Sequence, residues 1–171
     1  MPLKKELNRS RRKKPNSPLK YALWLLGRRA RTEKEIREKL ALKGCEESEI
    51  NNVVRKLYEW KLLDDLEFAR SYVRLSKIGK PKGKYRLLQE LRRKGVQNEV
   101  ANQAIEEGIG AEENLAEVAL KSYAKKIANL TREKRYNRAM GFLLRRGFSY
   151  DQAKKVILVI LNPPEAGEGS H

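Results

Sequence analysis

The chain has 171 residues but only one cysteine, Cys45, and one histidine, His171. A single thiol permits no internal disulfide and no cysteine-cluster zinc site. A histidine at the last position argues against a Cys-His nucleophile pair, a histidine-rich metal site and a Ser-His-Asp triad. No enzyme is expected, and neither cofactor nor metal. Long hydrophobic runs are also missing. The mean hydropathy is −0.75, and no apolar stretch approaches the roughly 18 residues that span a bilayer. The basic start is not followed by the apolar segment of a secretory leader. The expectation is a reducing, cytoplasmic setting with no membrane contact. Period-2 alternation and β-branched runs, the marks of strands, are likewise lacking.

What the sequence has in excess is positive charge. Lys plus Arg number 39 against 22 Asp plus Glu, a formal charge of +17. Such a chain is drawn to polyanions. The excess is spread out: +6 over residues 1–17, +4 over 18–63, +3 over 64–110 and +4 over 111–171. Charge on every segment suits a long contact surface better than one compact pocket.

Residues 1–17 hold seven basic side chains against Glu6 and few large apolar ones. They read as a disordered basic arm. Residues 162–171, with Pro163 and Pro164, read as a flexible tail. Between them the pattern is helical throughout, and nine helices are expected at about 18–29, 32–43, 46–60, 65–77, 83–93, 97–107, 112–129, 133–145 and 149–161. Leu115, Val118, Ala119, Ser122, Tyr123, Ile127 and Leu130 form one stripe at helical spacing. Start signals agree with these bounds. Ser17-Pro18 reads as an N-cap with proline at the first helical position. Thr32 with Glu35 reads as a capping box, and Asp64 with Glu67 and Ser149 with Gln152 repeat that logic.

A repeat runs through the chain. Leu40…Lys43-Gly44-Cys45, Leu91…Lys94-Gly95-Val96 and Leu143…Arg146-Gly147-Phe148 share a leucine, a basic residue, glycine and an apolar residue in register. Val53-Val54, Ala104-Ile105 and Val156-Ile157 follow at matched offsets. A basic last turn favours the negative end of its own helix dipole. Glycine then takes the left-handed conformation and a new helix begins. One such unit cannot close its apolar face, whereas stacked units can. The expected fold is all-α: three tandem three-helix repeats over 18–63, 64–110 and 111–161, in an elongated, curved array.

These residues resemble a known family. The run Ala22 to Leu40, with Arg28-Arg29-Ala30-Arg31-Thr32 and Glu35-Ile36-Arg37-Glu38-Lys39-Leu40, is similar to the opening signature of the RecX family. Leu63-Asp64-Asp65-Leu66-Glu67-Phe68-Ala69 resembles that family's junction. Gly83, Arg86, Leu87, Glu90, Leu91, Arg92, Lys94, Gly95 and Val96 resemble its second-unit signature. The third unit is the least characteristic, with Arg146-Gly147-Phe148-Ser149 fitting. The resemblance covers about 18–161. It implies a nine-helix, three-repeat, cytoplasmic regulator of the RecA recombinase, acting in recombination, DNA repair and the SOS response. Family members lie in the groove of the RecA–DNA filament, contact neighbouring protomers and suppress ATP hydrolysis, filament growth and strand exchange. The long basic arm and the lysine-rich segment Lys77, Lys80, Lys82 and Lys84 depart from the pattern, and both would favour direct DNA contact.

Candidate contact residues follow. Arg28, Arg29 and Arg31 stand where the first helix ends, with Arg37 and Lys39 in the signature beyond. Lys77, Lys80, Lys82 and Lys84 form a lysine loop, for which phosphate binding and plain solvation are both open. It lacks the spacing of a nucleotide-binding loop. Arg86 holds a signature position. Arg92, Arg93 and Lys94, with Arg145 and Arg146, occupy equivalent turns, where helix-dipole compensation is the competing reading. Asp64, Asp65 and Glu67 read as first-turn acids rather than a magnesium site. Trp24, Trp60 and Phe68 read as core and rim packing rather than base-stacking platforms. Cys45 reads as a buried small hydrophobe. The expected partners are the RecA filament and, more weakly and salt-dependently, single- or double-stranded DNA. The protein is expected to be a monomer. The competing reading is a general basic helical repeat that binds DNA phosphates without RecA.

Overall fold

The structure, a computed structural model, describes residues 17–110 and 112–161. The basic arm up to residue 16 and the tail 162–171 lie outside the described residues. Among the described residues there are nine α-helices and no strand: α1 (Pro18–Leu26), α2 (Glu33–Ala41), α3 (Glu47–Glu59), α4 (Asp65–Ser76), α5 (Lys84–Arg93), α6 (Asn98–Gly108), α7 (Glu112–Ile127), α8 (Arg132–Arg145) and α9 (Tyr150–Leu161). The bounds fall within three residues of those read from the sequence. The largest difference is at α1, which closes at Leu26, where the Gly27 N–H bonds back to the Leu23 carbonyl at 2.9 Å. Arg28 and Arg29 therefore lie beyond the helix, and no basic residue stands in its last turn.

The helices divide into two compact units between Asp64 and Asp65. In the first, α1, α2 and α3 enclose Ala22, Leu25, Ile36, Leu40, Val54 and Leu57. In the second, α4 lies chiefly against α6 with α5 beside it, around Val73, Leu87, Leu91 and Ile105. The helices α7, α8 and α9 of the same unit pack on one another around Leu120, Leu143, Phe148 and Ile157. Leu115 of α7 touches both of these cores. At Gly108 a Cβ would stand 2.9 Å from Val73 Cγ1, so the glycine lets α6 lie close on α4.

The three glycine turns are geometrically alike. Gly44, Gly95 and Gly147 have φ of 83°, 88° and 85°. The N–H groups of Cys45, Val96 and Phe148 reach back five residues to the carbonyls of Leu40, Leu91 and Leu143, at 3.2, 3.1 and 3.2 Å. Those of Gly44, Gly95 and Gly147 reach back three residues, to Ala41, Arg92 and Leu144. This pair of bonds is the Schellman closure, which satisfies the last helical carbonyls and needs a left-handed residue. The residue after the glycine packs onto the leucine at the start of the turn. Val96 and Phe148 are 3% and 1% exposed, whereas Cys45 is only half-buried. The expectation of a buried Cys45 is corrected: a small side chain in that slot leaves a rim open to solvent.

Other local expectations are refined. Ser149 and Gln152 form a reciprocal capping box, each backbone N–H bonded to the other's side chain at 2.9 and 3.2 Å. The Thr32 hydroxyl accepts the Glu35 N–H at 3.2 Å. Ser17 precedes proline as expected, but its side chain makes no capping bond. The buried face of α7 is rotated from the stripe read in sequence. Ala116, Ala119, Leu120 and Ile127 are buried, while Val118 is 53% exposed and the Ser122 hydroxyl bonds its own helix at the Ala119 carbonyl. Two small alanines let the helix approach its neighbours more closely than Val118 would. Trp24 and Phe68 are half-buried, but Trp60, at the end of α3, is half exposed.

Candidate functional site

The candidate site is built where the loop before α5 meets the glycine turn after α8. The α5 N-cap is Gly83, which carries no capping side chain, so the first-turn N–H groups of α5 need partners from elsewhere. They find them in the turn that follows α8. The Gly83 N–H donates to the Arg146 carbonyl at 2.9 Å, and the Tyr85 N–H to the Gly147 carbonyl at 3.2 Å. The Lys84 N–H donates to Glu112 Oε1 at 2.6 Å, and Glu112 Oε2 accepts from Gln152 Nε2 at 2.8 Å. Pro81 and Gly83 are buried. The loop is thus anchored by hydrogen bonds at its α5 end, while Lys77 and Lys80 remain exposed.

The approach is close. A Cβ on Gly83 would stand 2.3 Å from the Gly147 carbonyl oxygen, and one on Gly147 would stand 2.2 Å from the Arg86 nitrogen. Only glycine fits at either position. The same contact brings cations together. Arg146 Nη1 donates to the Pro81 carbonyl at 3.1 Å, and Arg86 Nη1 to the Arg145 carbonyl at 3.4 Å. The Arg146 guanidinium lies 4.8 Å over the Phe142 ring, which itself stacks on Tyr123 at 4.1 Å.

Glu90 is the carboxylate that holds this group. It accepts from Lys82 Nζ at 2.5 Å, Arg86 Nε at 2.8 Å and the Tyr72 hydroxyl at 2.8 Å. Burial pushes its pKa up, but the hydrogen bonds from Lys82, Arg86 and Tyr72 outweigh burial and hold it below the ordinary carboxylate value. Burial and the bond to Glu90 push the Tyr72 phenol up to about 12. For Arg146, burial and the neighbouring Arg86 charge lower the pKa. The result is a cavity of about 360 Å³ lined by Lys80, Lys82, Arg86, Phe142, Arg145 and Arg146. A second cavity of about 310 Å³ shares Arg86 and Arg145 and adds Tyr85, Leu88, Arg92 and Leu144. A third, of about 520 Å³, shares Arg145 and adds Lys134 and Arg138.

The sequence-predicted residues separate into groups. Lys80, Lys82, Arg86, Arg145 and Arg146 come together, with Arg92 alongside. Lys84 has its ammonium 3.6 Å from Glu106, and Arg92 donates to Asn98 at 2.5 Å. Lys94 lies over the Phe68 and Tyr72 rings, and Arg93 is exposed. In the other unit, Arg37 pairs with Glu33 on its own helix at 2.6 Å and ties α2 to α3 through Asn51 at 2.7 Å and Glu47 at 3.2 Å. Arg31, its side chain 12% exposed, donates to the Leu25 carbonyl and stands 3.7 Å from Glu35. Burial and then the Arg29 charge lower its pKa. Arg29 pairs with Glu35 at 2.7 Å, Arg28 lies 5.0 Å over Trp24, and Lys39 is exposed. Arg31 and Arg37 are therefore engaged in holding their own repeat. Sequence reasoning did not find Tyr85, Phe142, Lys134, Arg138 or the organising Glu90. The Arg86–Glu90 spacing of four was the available signal for the last. Among the described residues no three His, Cys, Asp or Glu side chains could hold a metal ion, and no helix is long and apolar enough to cross a membrane.

Fold and site together define a class: an all-α protein of helix–glycine–helix repeats with a cationic, aromatic-floored joint between its last two repeats. Residues 19–57 match the family description "RecX, first three-helix domain", 64–105 the second and 111–157 the third. The chain belongs to the RecX family. It is 37% identical over 147 residues to "Regulatory protein RecX" of Mycobacterium sp. (strain JLS), covering 82% of this chain and 80% of that one. It is 37% identical over 131 residues to that of Vibrio parahaemolyticus serotype O3:K6, covering 77% and 83%. The crystal structure of RecX from Lactobacillus salivarius superposes with a TM-score of 0.74 at 26% identity, over 82% of this chain and 92% of that one.

Proposed function

We propose that the chain is a non-enzymatic cytoplasmic regulator of the RecA recombinase, acting in recombination, DNA repair and the SOS response. It lodges in the groove of the RecA–DNA filament, bridges neighbouring protomers and suppresses ATP hydrolysis, filament growth and strand exchange. Membership of a family of regulatory proteins across all three repeats carries this reading. The cationic joint, built on backbone that cannot shift freely, supplies a surface suited to a polyanionic assembly. The working division is a basic arm at 1–17, repeats at 18–63, 64–110 and 111–161, and a tail at 162–171. Each repeat adds contacts, so binding is multivalent.

The test is DNA-dependent ATP hydrolysis by RecA at moderate salt, with the protein well below one copy per RecA. Filament-level control predicts inhibition at such ratios. Inhibition that only tracks occupancy of the DNA would leave a basic repeat acting through phosphates alone.

A further inference from the structure

A cavity of about 430 Å³ lies where the start of α8 meets the end of α9. Its floor is apolar: Tyr136 from α8, and Ile157, Leu158 and Leu161 from α9. Ile157 is fully buried, but Leu158 is 46% exposed. Tyr136 is half-buried and its hydroxyl is hydrogen-bonded to Tyr150, so the ring keeps its place. Arg132, Arg135 and Glu133 complete the lining. The two guanidinium groups outnumber the one carboxylate, and among the described residues neither is in an ion pair. An apolar slot with uncompensated positive charge suits a segment that joins apolar rings to a carboxylate.

The chain itself supplies such a segment beside the slot. Leu161, the last residue of α9, is a lining residue, and Asn162-Pro163-Pro164-Glu165 follows it. These four lie outside the described residues, and their chemistry and reach decide the matter. Pro163 disfavours continuation of α9, so the chain leaves the helix axis at the slot. Consecutive prolines favour an extended form that is stiff before it binds, and that form packs on aromatic rings. Glu165 brings the carboxylate. It stands four residues past Leu161, within about 14 Å along an extended chain, whereas Ile157 and Leu161 are about 6 Å apart along α9. Tethering then favours this occupant over any other. A short link gives a millimolar effective concentration, so a contact too weak to hold a free peptide is populated when the peptide is attached.

We propose that residues 163–165 fold back into the α8–α9 slot as a strap. Pro163 and Pro164 lie on the Tyr136 ring and Leu158, and the Glu165 carboxylate sits between Arg132 and Arg135. The strap covers apolar surface of the third repeat and ties the end of α9 to the start of α8. It needs no RecA, so it stands or falls apart from the function proposed above.

Nuclear Overhauser spectra of the isotope-labelled full chain test this. Tyr136 ring protons show cross-peaks to Pro163 or Pro164 within one molecule. Thermal unfolding is the second readout. Glu165→Lys and Arg135→Glu each lower the midpoint by about 2–4 °C, and combining them restores at least half of the summed loss. Pro163→Gly with Pro164→Gly gives a similar loss and removes the cross-peaks. Free Asn-Pro-Pro-Glu-Ala-Gly peptide at about 1 mM shifts the Leu158 methyl signals of that double variant but not those of the parent. Parent spectra without the cross-peaks overturn the proposal. So do cross-peaks found only between differently labelled chains, which would make the occupant a second copy. Simply additive losses from Glu165→Lys and Arg135→Glu also overturn it. Equal peptide shifts in parent and variant do the same, leaving the slot open to an outside partner.

Discussion

Gly147→Ala destabilises the Asp65–His171 unit by roughly 3–4 kcal/mol, against about 1 kcal/mol for Gly44→Ala in the other unit. Both glycines sit at nearly the same left-handed φ, 85° and 83°, and share that strain. They differ in surroundings. A Cβ at Gly44 meets nothing within 4 Å, whereas one at Gly147 stands 2.2 Å from the Arg86 nitrogen and 2.4 Å from its Cβ. The start of α5 must withdraw, and the bonds from Gly83 to Arg146 and from Tyr85 to Gly147 break with it. Gly83→Ala isolates the overlap, because Gly83 has an ordinary φ of −83°. It falls between the other two, at roughly 2–3 kcal/mol. Hydrogen exchange read separately on α2 and α5, together with thermal unfolding, checks the order. Equal losses at Gly44 and Gly147 would mean that the close approach carries no stability.

Glu90→Gln costs about 2 kcal/mol, below the value for a fully buried ion pair because solvent reaches its rim. Glutamine keeps the shape but leaves Lys82 and Arg86 without their counter-charge, next to Arg146. The pH dependence has a definite sign. The Glu90 pKa is lower folded than unfolded, so its contribution is whole above the unfolded value of about 4.5 and is lost as pH falls through the folded one. The Asp65–His171 unit of the parent chain therefore weakens below about pH 4.5 more steeply than that of Glu90→Gln. At the alkaline end, the Tyr72 pKa is raised by burial first and by the bond to Glu90 second. Its contribution is present below the unfolded value of about 10 and lost as pH rises through about 12. Glu90→Gln moves the Tyr72 titration down without returning it fully, since burial remains. Urea unfolding at a series of pH values and ultraviolet titration of the phenol read both ends. A Glu90→Gln chain with the parent's acid profile would mean that other carboxylates set it.

The helices were legible because local rules are strong in this chain. The three glycine turns have matched offsets, Thr32 and Ser149 cap where their side chains suggest, and the expected left-handed glycines all appear. Packing between segments was less legible. The α7 stripe counted apolar residues at helical spacing but could not tell that alanines, rather than Val118, face the neighbours. The joint was invisible because its parts lie 64 residues apart, at Gly83 and Gly147, and two of the bonds that close it run backbone to backbone. No side-chain pattern encodes that. Lys82 and Arg86 read as contact candidates, and Glu90 holds both. Arg37 read as a contact residue, and it also clamps α2 to α3 through Glu47 and Asn51. Long basic side chains serve internal ion pairs and external anions alike, and only the folded geometry separates the two uses.

The most direct test of filament binding is co-sedimentation of the protein with RecA–DNA filaments and with the same DNA alone, at one moderate salt concentration. Groove binding that bridges protomers predicts strong retention on the filament where naked DNA retains little. Equal retention on both, falling together as salt rises, would contradict it.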